Sequence, residues 1–152
     1  MARTLNVGVI GCGNISAAYF GLAPLFRGIR MKACSDINME LAKARAAEFG
    51  LRAETVESLL KADDIDIVVN LTVPAAHYTV SKEVLDAGKH VYSEKPFVLS
   101  LAEANDLAER AARRGLRIGS APDTFLGGAH QLARYLIDTG KVGKITSGTA
   151  YV

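Results

Sequence analysis

The stretch from residue 5 to residue 20 constrains the fold of this chain more than any other. An apolar run rich in β-branched residues is followed by a glycine-rich turn and then by an apolar helical pattern, in the order Leu5-Asn6-Val7-Gly8-Val9-Ile10, Gly11-Cys12-Gly13-Asn14-Ile15-Ser16 and Ala17-Ala18-Tyr19-Phe20. Strand, glycine turn and helix form the context in which a dinucleotide-binding loop occurs. Because Ser16 replaces the third glycine of G-x-G-x-x-G, the motif is incomplete, and an ordinary strand-to-helix turn remains the alternative.

The small residues of this loop suggest how it could hold a dinucleotide. Gly11 can adopt the tight turn that a Cβ atom would obstruct, and Gly13 leaves room for the cofactor pyrophosphate to approach the backbone. We expect the helix to begin near Asn14, so that unpaired N–H groups at Asn14 and Ile15 and the positive end of the helix dipole face the phosphates. Ser16 is small enough to let the helix pack against the strand.

An acidic residue follows the next strand pattern. Residues 30–35 read as a strand, and Asp36 lies about 20 residues beyond the loop, where such folds place the carboxylate that binds the adenosine ribose. The alternative is that Asp36 caps a helix or forms a turn. Asn38 is the better N-cap, which leaves Asp36 free for the ribose. A carboxylate there would repel the 2′-phosphate of NADP, and no arginine follows it, so we expect NAD.

The rest of the chain alternates between strand and helix patterns joined by short loops. Strands are predicted at residues 51–53, 65–71, 90–93 and 116–120, and helices at residues 38–49, 55–62, 75–87, 100–114 and 129–139. This alternation predicts an α/β fold with a doubly wound parallel sheet, the Rossmann fold. Such sheets bind ligands at the carboxyl ends of their strands, which is where the pattern places Gly11 to Ser16, Asp36, Thr72 to His77, and Glu94 to Pro96.

Composition excludes several other classes of protein. The net charge of +2 gives no indication of nucleic-acid binding, and no apolar run approaches the roughly 20 residues of a membrane span. The histidines and cysteines lack the spacing of metal ligands, so no metal is expected. We interpret Cys12 and Cys34 as free thiols, which favours a cytoplasmic protein.

Taken together, these motifs resemble the glucose–fructose oxidoreductase, inositol dehydrogenase and MocA (Gfo/Idh/MocA) family. The resemblance rests on the glycine loop, Asp36, Asn70-Leu71-Thr72-Val73-Pro74 with His77, and above all Glu94-Lys95-Pro96. Residues 121–127 and 134–143 are similar to the family's domain junction. The resemblance implies an NAD(P)-dependent oxidoreductase that acts on a sugar, cyclitol or related polyol. It also implies that a second α/β domain follows the Rossmann domain.

The same resemblance implies roles for residues after the fourth and fifth strands. Lys95 would reach both the nicotinamide and the substrate hydroxyl, and Glu94 and His77 would line the cofactor cleft. From their place at a predicted strand end, we also expect Thr72 and Pro74 to bind the cofactor. A desolvated Lys95 ammonium could stabilise a developing alkoxide as the catalytic group. The alternatives are a surface lysine before a turn proline and, for His77, a solvent-facing histidine.

Length is the main departure from the family, whose members are usually more than twice as long. We therefore expect residues 1–140 to form the dinucleotide-binding domain and residues 141–152 to form the junction and the first strand of a truncated second domain. The chain alone should bind NAD without turnover, and its unpaired strand should make it self-associate, consistent with a homo-oligomer. A non-catalytic module that senses NAD or a nucleotide through a protein partner is the alternative.

Overall fold

The computed structural model describes residues 3–122, 124–149 and 151. Within them, one sheet has the strand order β3-β2-β1-β4-β5-β6, and all neighbouring strands run parallel. The strands are β1 (Leu5–Ile10), β2 (Ile29–Ser35), β3 (Arg52–Ala53), β4 (Ile67–Asn70), β5 (His90–Ser93) and β6 (Ile118–Ser120). This is the order of a doubly wound Rossmann sheet, so the predicted fold class is confirmed.

Helices follow the strands as the periodicity predicts. They are α1 (Ser16–Leu22), α2 (Met39–Phe49), α3 (Val56–Lys61), α4 (His77–Asp86), α5 (Leu101–Arg114) and α6 (Gly128–Asp138). Two helices begin about two residues later than predicted. Helix α1 begins at Ser16 rather than near Asn14, because the Ser16 N–H donates to the Gly13 carbonyl and closes a separate turn. Helix α4 begins at His77, after a 3₁₀ turn at Pro74–Ala76.

Three helices begin at side-chain caps, among them the predicted Asn38 cap. The side chains of Asn38, Thr55 and Ser100 accept N–H bonds at the first turns of α2, α3 and α5. At α5, the Glu103 side chain also accepts the Leu99 N–H at 3.1 Å. The cap of α5 therefore extends back to Leu99.

Two apolar clusters pack on the sheet. One includes residues from α3, α4 and α5, among them Leu59, Leu85 and Leu107, and the other includes Phe20 of α1 and Ala46 of α2. Since these helices divide between two clusters around the same strands, both faces of the sheet are covered, as expected for parallel strands. Burying each large apolar side chain contributes roughly 1.5–3 kcal/mol.

The chain divides into two compact units. The first ends at Ala121, and the second begins at Pro122 and includes α6, whereas the sequence pattern predicts a domain boundary after residue 140. That domain assignment stays a prediction. Residues 143–149 and 151 have no regular secondary structure, and residues 150 and 152, also part of the predicted strand, lie outside the described residues. Among the described helices, none is long and apolar enough to cross a membrane.

Candidate functional site

The centre of the sheet contains the switch point at which such folds bind ligands. Strands β1 and β4 are neighbours in the sheet, but the chain leaves β1 towards α1 in one apolar cluster and leaves β4 towards α4 in the other. The two loops therefore separate at the carboxyl edge and leave a crevice between them. The candidate residues from the glycine loop, the Thr72 segment and the Glu94 segment all lie along this edge.

The glycine loop packs directly against the chain that leaves β4. Gly11 has φ +105°, and a Cβ atom there would lie 2.6 Å from the carbonyl carbon and oxygen of Leu71. A side chain at this position is therefore excluded by both conformation and space. At Gly13, by contrast, a Cβ atom would find no atom within 4 Å. The loop is thus closed towards the protein at Gly11 and open at Gly13.

The open part of the loop presents hydrogen-bond donors. Gly13, Asn14 and Ile15 are exposed, and across the described residues their backbone N–H groups have no acceptor. Ser16 is fully buried, and its hydroxyl donates to the Gly13 carbonyl at 2.6 Å, which holds the turn. Free N–H groups beside an open glycine fit the diphosphate of a dinucleotide.

Asp36 lies at the end of β2 as predicted, but its carboxylate is not free. Oδ2 accepts the Cys12 N–H at 2.7 Å, and Oδ1 accepts the Asn38 N–H at 2.8 Å. The side chain therefore ties the glycine loop to the end of β2. An ionised carboxylate has about four acceptor positions, so Asp36 keeps acceptor capacity for ribose hydroxyls while it makes both bonds.

Asn70 organises the loop after β4, a role that its position in the sequence did not predict. This fully buried side chain donates to the His77 carbonyl and the Ser81 hydroxyl, each at 3.1 Å. Its Oδ1 atom accepts the Thr72 hydroxyl at 2.6 Å and the Thr72 N–H at 3.2 Å. The sequence feature that could have indicated this role is a polar residue at the end of an apolar strand. Pro74, two residues beyond Thr72, is exposed.

His77 is buried rather than solvent-facing, with only 1% of its surface exposed. Its Nδ1 lies 2.6 Å from the Pro96 carbonyl oxygen, and its Nε2 lies 2.9 Å from the Thr72 carbonyl oxygen. Carbonyl oxygens only accept, so both contacts are hydrogen bonds only when both ring nitrogens carry protons. The ring connects two loops of the site; its contact with a cofactor stays a prediction.

The Glu94 carboxylate is held on both sides. Its Oε1 accepts the Tyr19 hydroxyl at 2.8 Å, and its Oε2 accepts the Lys95 N–H at 2.9 Å. Lys95 itself is exposed, and within the described residues its ammonium has no ion-pair or hydrogen-bond partner. The desolvation expected for this lysine is therefore absent from this chain, and its catalytic role stays a prediction.

The cysteines contribute packing rather than chemistry. Cys12 and Cys34 are both buried free thiols, so Cys12 is not accessible from the loop. The hydrogen bond with Cys34 and then burial raise the pKa of the Cys12 thiol far above its usual range, which keeps it neutral and a poor nucleophile. In the part of the chain that is described, no three His, Cys, Asp or Glu residues are placed to hold a metal.

Known proteins resemble this chain over most of its length. A reductase from Streptomyces violaceoruber, dTDP-3,4-didehydro-2,6-dideoxy-alpha-D-glucose 3-reductase, is 32% identical over 97% of this chain and 44% of its own. An inositol 2-dehydrogenase/D-chiro-inositol 3-dehydrogenase from Lacticaseibacillus casei is 30% identical over 75% of this chain and 34% of its own. The chain therefore spans less than half the length of these curated relatives.

Solved structures share the fold. GenD2 from gentamicin A biosynthesis, in complex with NAD, is 26% identical with a TM-score of 0.86, over 93% of this chain and 41% of its own. A variant of KijD10, a 3-ketoreductase from Actinomadura kijaniata in complex with TDP-benzene and NADP, is 28% identical with a TM-score of 0.86, over 94% of this chain and 46% of its own. The model of an oxidoreductase family with an NAD-binding Rossmann fold matches residues 5–121. Because this match runs from the first strand to the end of the first compact unit, the chain belongs to the Gfo/Idh/MocA oxidoreductase family and contains its NAD-binding Rossmann fold.

Proposed function

We propose that this chain binds NAD at the carboxyl edge of the sheet, as the cofactor-binding part of an oxidoreductase that acts on a sugar or cyclitol. The observation that carries the proposal is the open glycine loop with free N–H groups at residues 13–15, joined through the Cys12 N–H to Asp36. The relatives named above are a sugar 3-reductase and an inositol dehydrogenase. They favour an enzyme over the nucleotide-sensing module.

Each group at this edge has a role in that proposal. The N–H groups of residues 13–15 bind the diphosphate, and Asp36 accepts bonds from the adenosine ribose. The cofactor, when bound, supplies the hydride chemistry. Lys95, whose ammonium is unpaired within the described residues, binds the substrate oxygen and stabilises negative charge on it. Thr72, Pro74, His77 and Glu94 form or support the wall of the cleft.

We propose that NAD is preferred over NADP. The Asp36 carboxylate would face the 2′-phosphate, and two such charges about 4 Å apart at an effective dielectric near 20 repel by up to about 4 kcal/mol. Ile37 and Asn38, which follow Asp36, offer no cation in compensation. Calorimetric titration of the chain with NAD and with NADP is the test. The variant Asp36→Asn should show a smaller difference in affinity between the two cofactors than the wild type. Equal or tighter binding of NADP by the wild-type chain would contradict the preference.

We also propose that Lys95 is the catalytic group of the active protein. In the longest form of the protein that shows dehydrogenase activity, Lys95→Ala should reduce turnover by orders of magnitude while leaving the affinity for NAD nearly unchanged. Lys82→Ala is the matched control, because that lysine pairs with Asp86 on α4, away from the crevice. Activity of Lys95→Ala within a few-fold of wild type would exclude a catalytic role.

The cellular context completes the proposal. Free, buried Cys12 and Cys34 thiols support a reducing compartment such as the cytoplasm. Exposed apolar side chains on α6, described below, support a homo-oligomer.

The chain by itself should bind NAD without turning over substrate, because it spans less than half of the relatives named above. Dehydrogenase activity of the purified 152-residue chain would contradict this last expectation.

A further inference from the structure

Tyr19 connects two parts of the site that are far apart in the sequence. It lies in the first turn of α1, directly after the glycine loop, and its hydroxyl donates to Glu94 Oε1 at 2.8 Å. Glu94 follows β5, which is separated from β1 by β4 in the sheet. The contact therefore spans one intervening strand at the carboxyl edge.

The contact is built to hold the Glu94 side chain in one orientation. The Tyr19 ring is half-buried against the apolar cluster under α1 and α2, which limits where its hydroxyl can lie. The other oxygen of Glu94 accepts the N–H of Lys95 at 2.9 Å. A hydroxyl bond to an ionised carboxylate is stronger than one between neutral groups. One carboxylate oxygen is thus held by the backbone of its own loop, and the other is held by Tyr19 of α1.

We infer that Tyr19 is a positioning residue that fixes the Glu94–Lys95 segment relative to the glycine loop, and so shapes the place where the nicotinamide half of the dinucleotide binds. This inference rests on the proposed function. A dinucleotide whose diphosphate lies at the glycine loop extends along the crevice between the halves of the sheet. Its adenosine half would lie towards Asp36 at the end of β2, and its nicotinamide half would lie towards β4 and β5. Tyr19 acts only on the second half.

The test compares two ligands that differ at the nicotinamide end. NAD and ADP-ribose, which lacks the nicotinamide, are titrated into the full 152-residue chain and into Tyr19→Phe. The loss of one hydroxyl bond should weaken NAD binding by about fivefold or more and leave ADP-ribose binding within about twofold. Tyr78→Phe is the matched control, since its hydroxyl also donates to a carboxylate, Asp106 at 3.1 Å, but between α4 and α5. It should change neither affinity.

A structural readout and a second variant complete the experiment. The Lys95 amide, which donates to Glu94, should exchange its hydrogen faster in Tyr19→Phe than in the wild type and Tyr78→Phe. Glu94→Ala should reproduce the selective loss of NAD affinity, and adding Tyr19→Phe to it should cost nothing further, because the two residues act as one unit.

The outcomes separate this inference from the function on which it rests. Unchanged NAD affinity in Tyr19→Phe, or an equal loss for NAD and ADP-ribose, would overturn the positioning role while leaving the proposed function intact. A wild-type chain that binds neither ligand would instead contradict the proposed function, and this inference with it. A selective loss of NAD affinity with faster exchange at Lys95 supports the inference.

Discussion

Two serines near the site are equally buried but differ in their hydrogen bonds. Ser81 accepts the Asn70 side-chain amide at 3.1 Å, whereas the Ser93 hydroxyl, at the end of β5, has no partner among the described residues. An unpaired buried hydroxyl has lost its hydration without compensation. Ser93→Ala should therefore leave the free energy of unfolding unchanged or raise it by up to about 1 kcal/mol. Ser81→Ala should lower it by roughly 1–3 kcal/mol.

Urea denaturation of the two serine variants and the wild type measures both effects. Each substitution removes one hydroxyl from a fully buried side chain, so differences in the denatured state largely cancel. If Ser93→Ala proved as destabilising as Ser81→Ala, the Ser93 hydroxyl would have a hydrogen-bond partner in solution.

The two glycines of the loop should respond differently to alanine. Gly11→Ala forces a Cβ into the Leu71 backbone at a positive φ. We expect this substitution to lower the free energy of unfolding by at least about 1 kcal/mol, because one strained residue costs about 1–3 kcal/mol. Gly13→Ala meets open space and should fold like the wild type while it weakens NAD binding. Thermal denaturation and NAD titration of both variants distinguish the roles. A stable Gly11→Ala, or a Gly13→Ala that binds NAD normally, would contradict the corresponding assignment.

Sequence spacing predicted the positions of the candidate residues in the fold better than the contacts between them. Gly11 and Asp36 could be placed because a glycine turn and an acid after the next strand are patterns of fixed spacing. The bond from the Cys12 N–H to Asp36 and the burial of His77 between two carbonyls could not. The Cys12–Asp36 and His77–Pro96 contacts join residues 24 and 19 positions apart, and they depend on where the folded loops lie.

At the scale of elements, the packing of α4 against α5 includes a network of charges. Arg110 donates to Asp106 at 2.6 Å and also approaches Asp86 at 3.4 Å. The Arg110 hydrogen bond lowers the pKa of Asp106 below its usual value. A carboxyl whose pKa is lower in the folded state stabilises the fold above its unfolded pKa, near 4, and this stability is lost as the pH falls through the folded pKa.

Removing this arginine should therefore matter most near neutral pH. At pH 7, we expect Arg110→Ala to unfold at a lower urea concentration than the wild type. The difference between the two urea midpoints should become smaller below about pH 4. Arg113→Ala is the control, because Arg113 pairs with an exposed Glu109 at 3.1 Å, and such surface pairs contribute little. If the urea midpoints of Arg110→Ala and the wild type differed by the same amount at pH 7 and at pH 3, packing rather than charge would account for the contribution of Arg110 to stability.

Most helices and strands could be predicted because periodicity and capping residues are local. Strand β5 and the last residues of α2 and α5, Phe49 and Arg114, lie where the pattern placed them. Burial within a helix is less local, since Leu41 of α2 is 44% exposed although Ala42 and Ala46 of the same helix are buried. Spacing shows which residues share a face, but the width of the buried stripe is set by neighbouring elements.

At the scale of the whole molecule, apolar side chains of the second unit remain uncovered. On α6, Leu132, Tyr135 and Ile137 are each about half exposed. Apolar patches of this kind favour association between molecules. We expect the purified chain to show a molecular mass that rises with concentration in light scattering, and Leu132→Glu to reduce the effect. Leu41→Glu, at a comparably exposed position on α2, should not. A monomer at all concentrations would contradict this prediction.

The contact between Gly11 and Leu71 has a consequence for the order in which segments of the chain can fold during synthesis. The turn after β1 is shaped against the backbone at Leu71, and β1 pairs with β4 through Val7 and Ile67. Contacts between residues this distant must wait for the intervening chain, and they slow folding. A nascent chain on the ribosome therefore cannot complete its glycine loop until Leu71 has left the exit tunnel. Until then, the first residues to emerge wait longest for their final conformation.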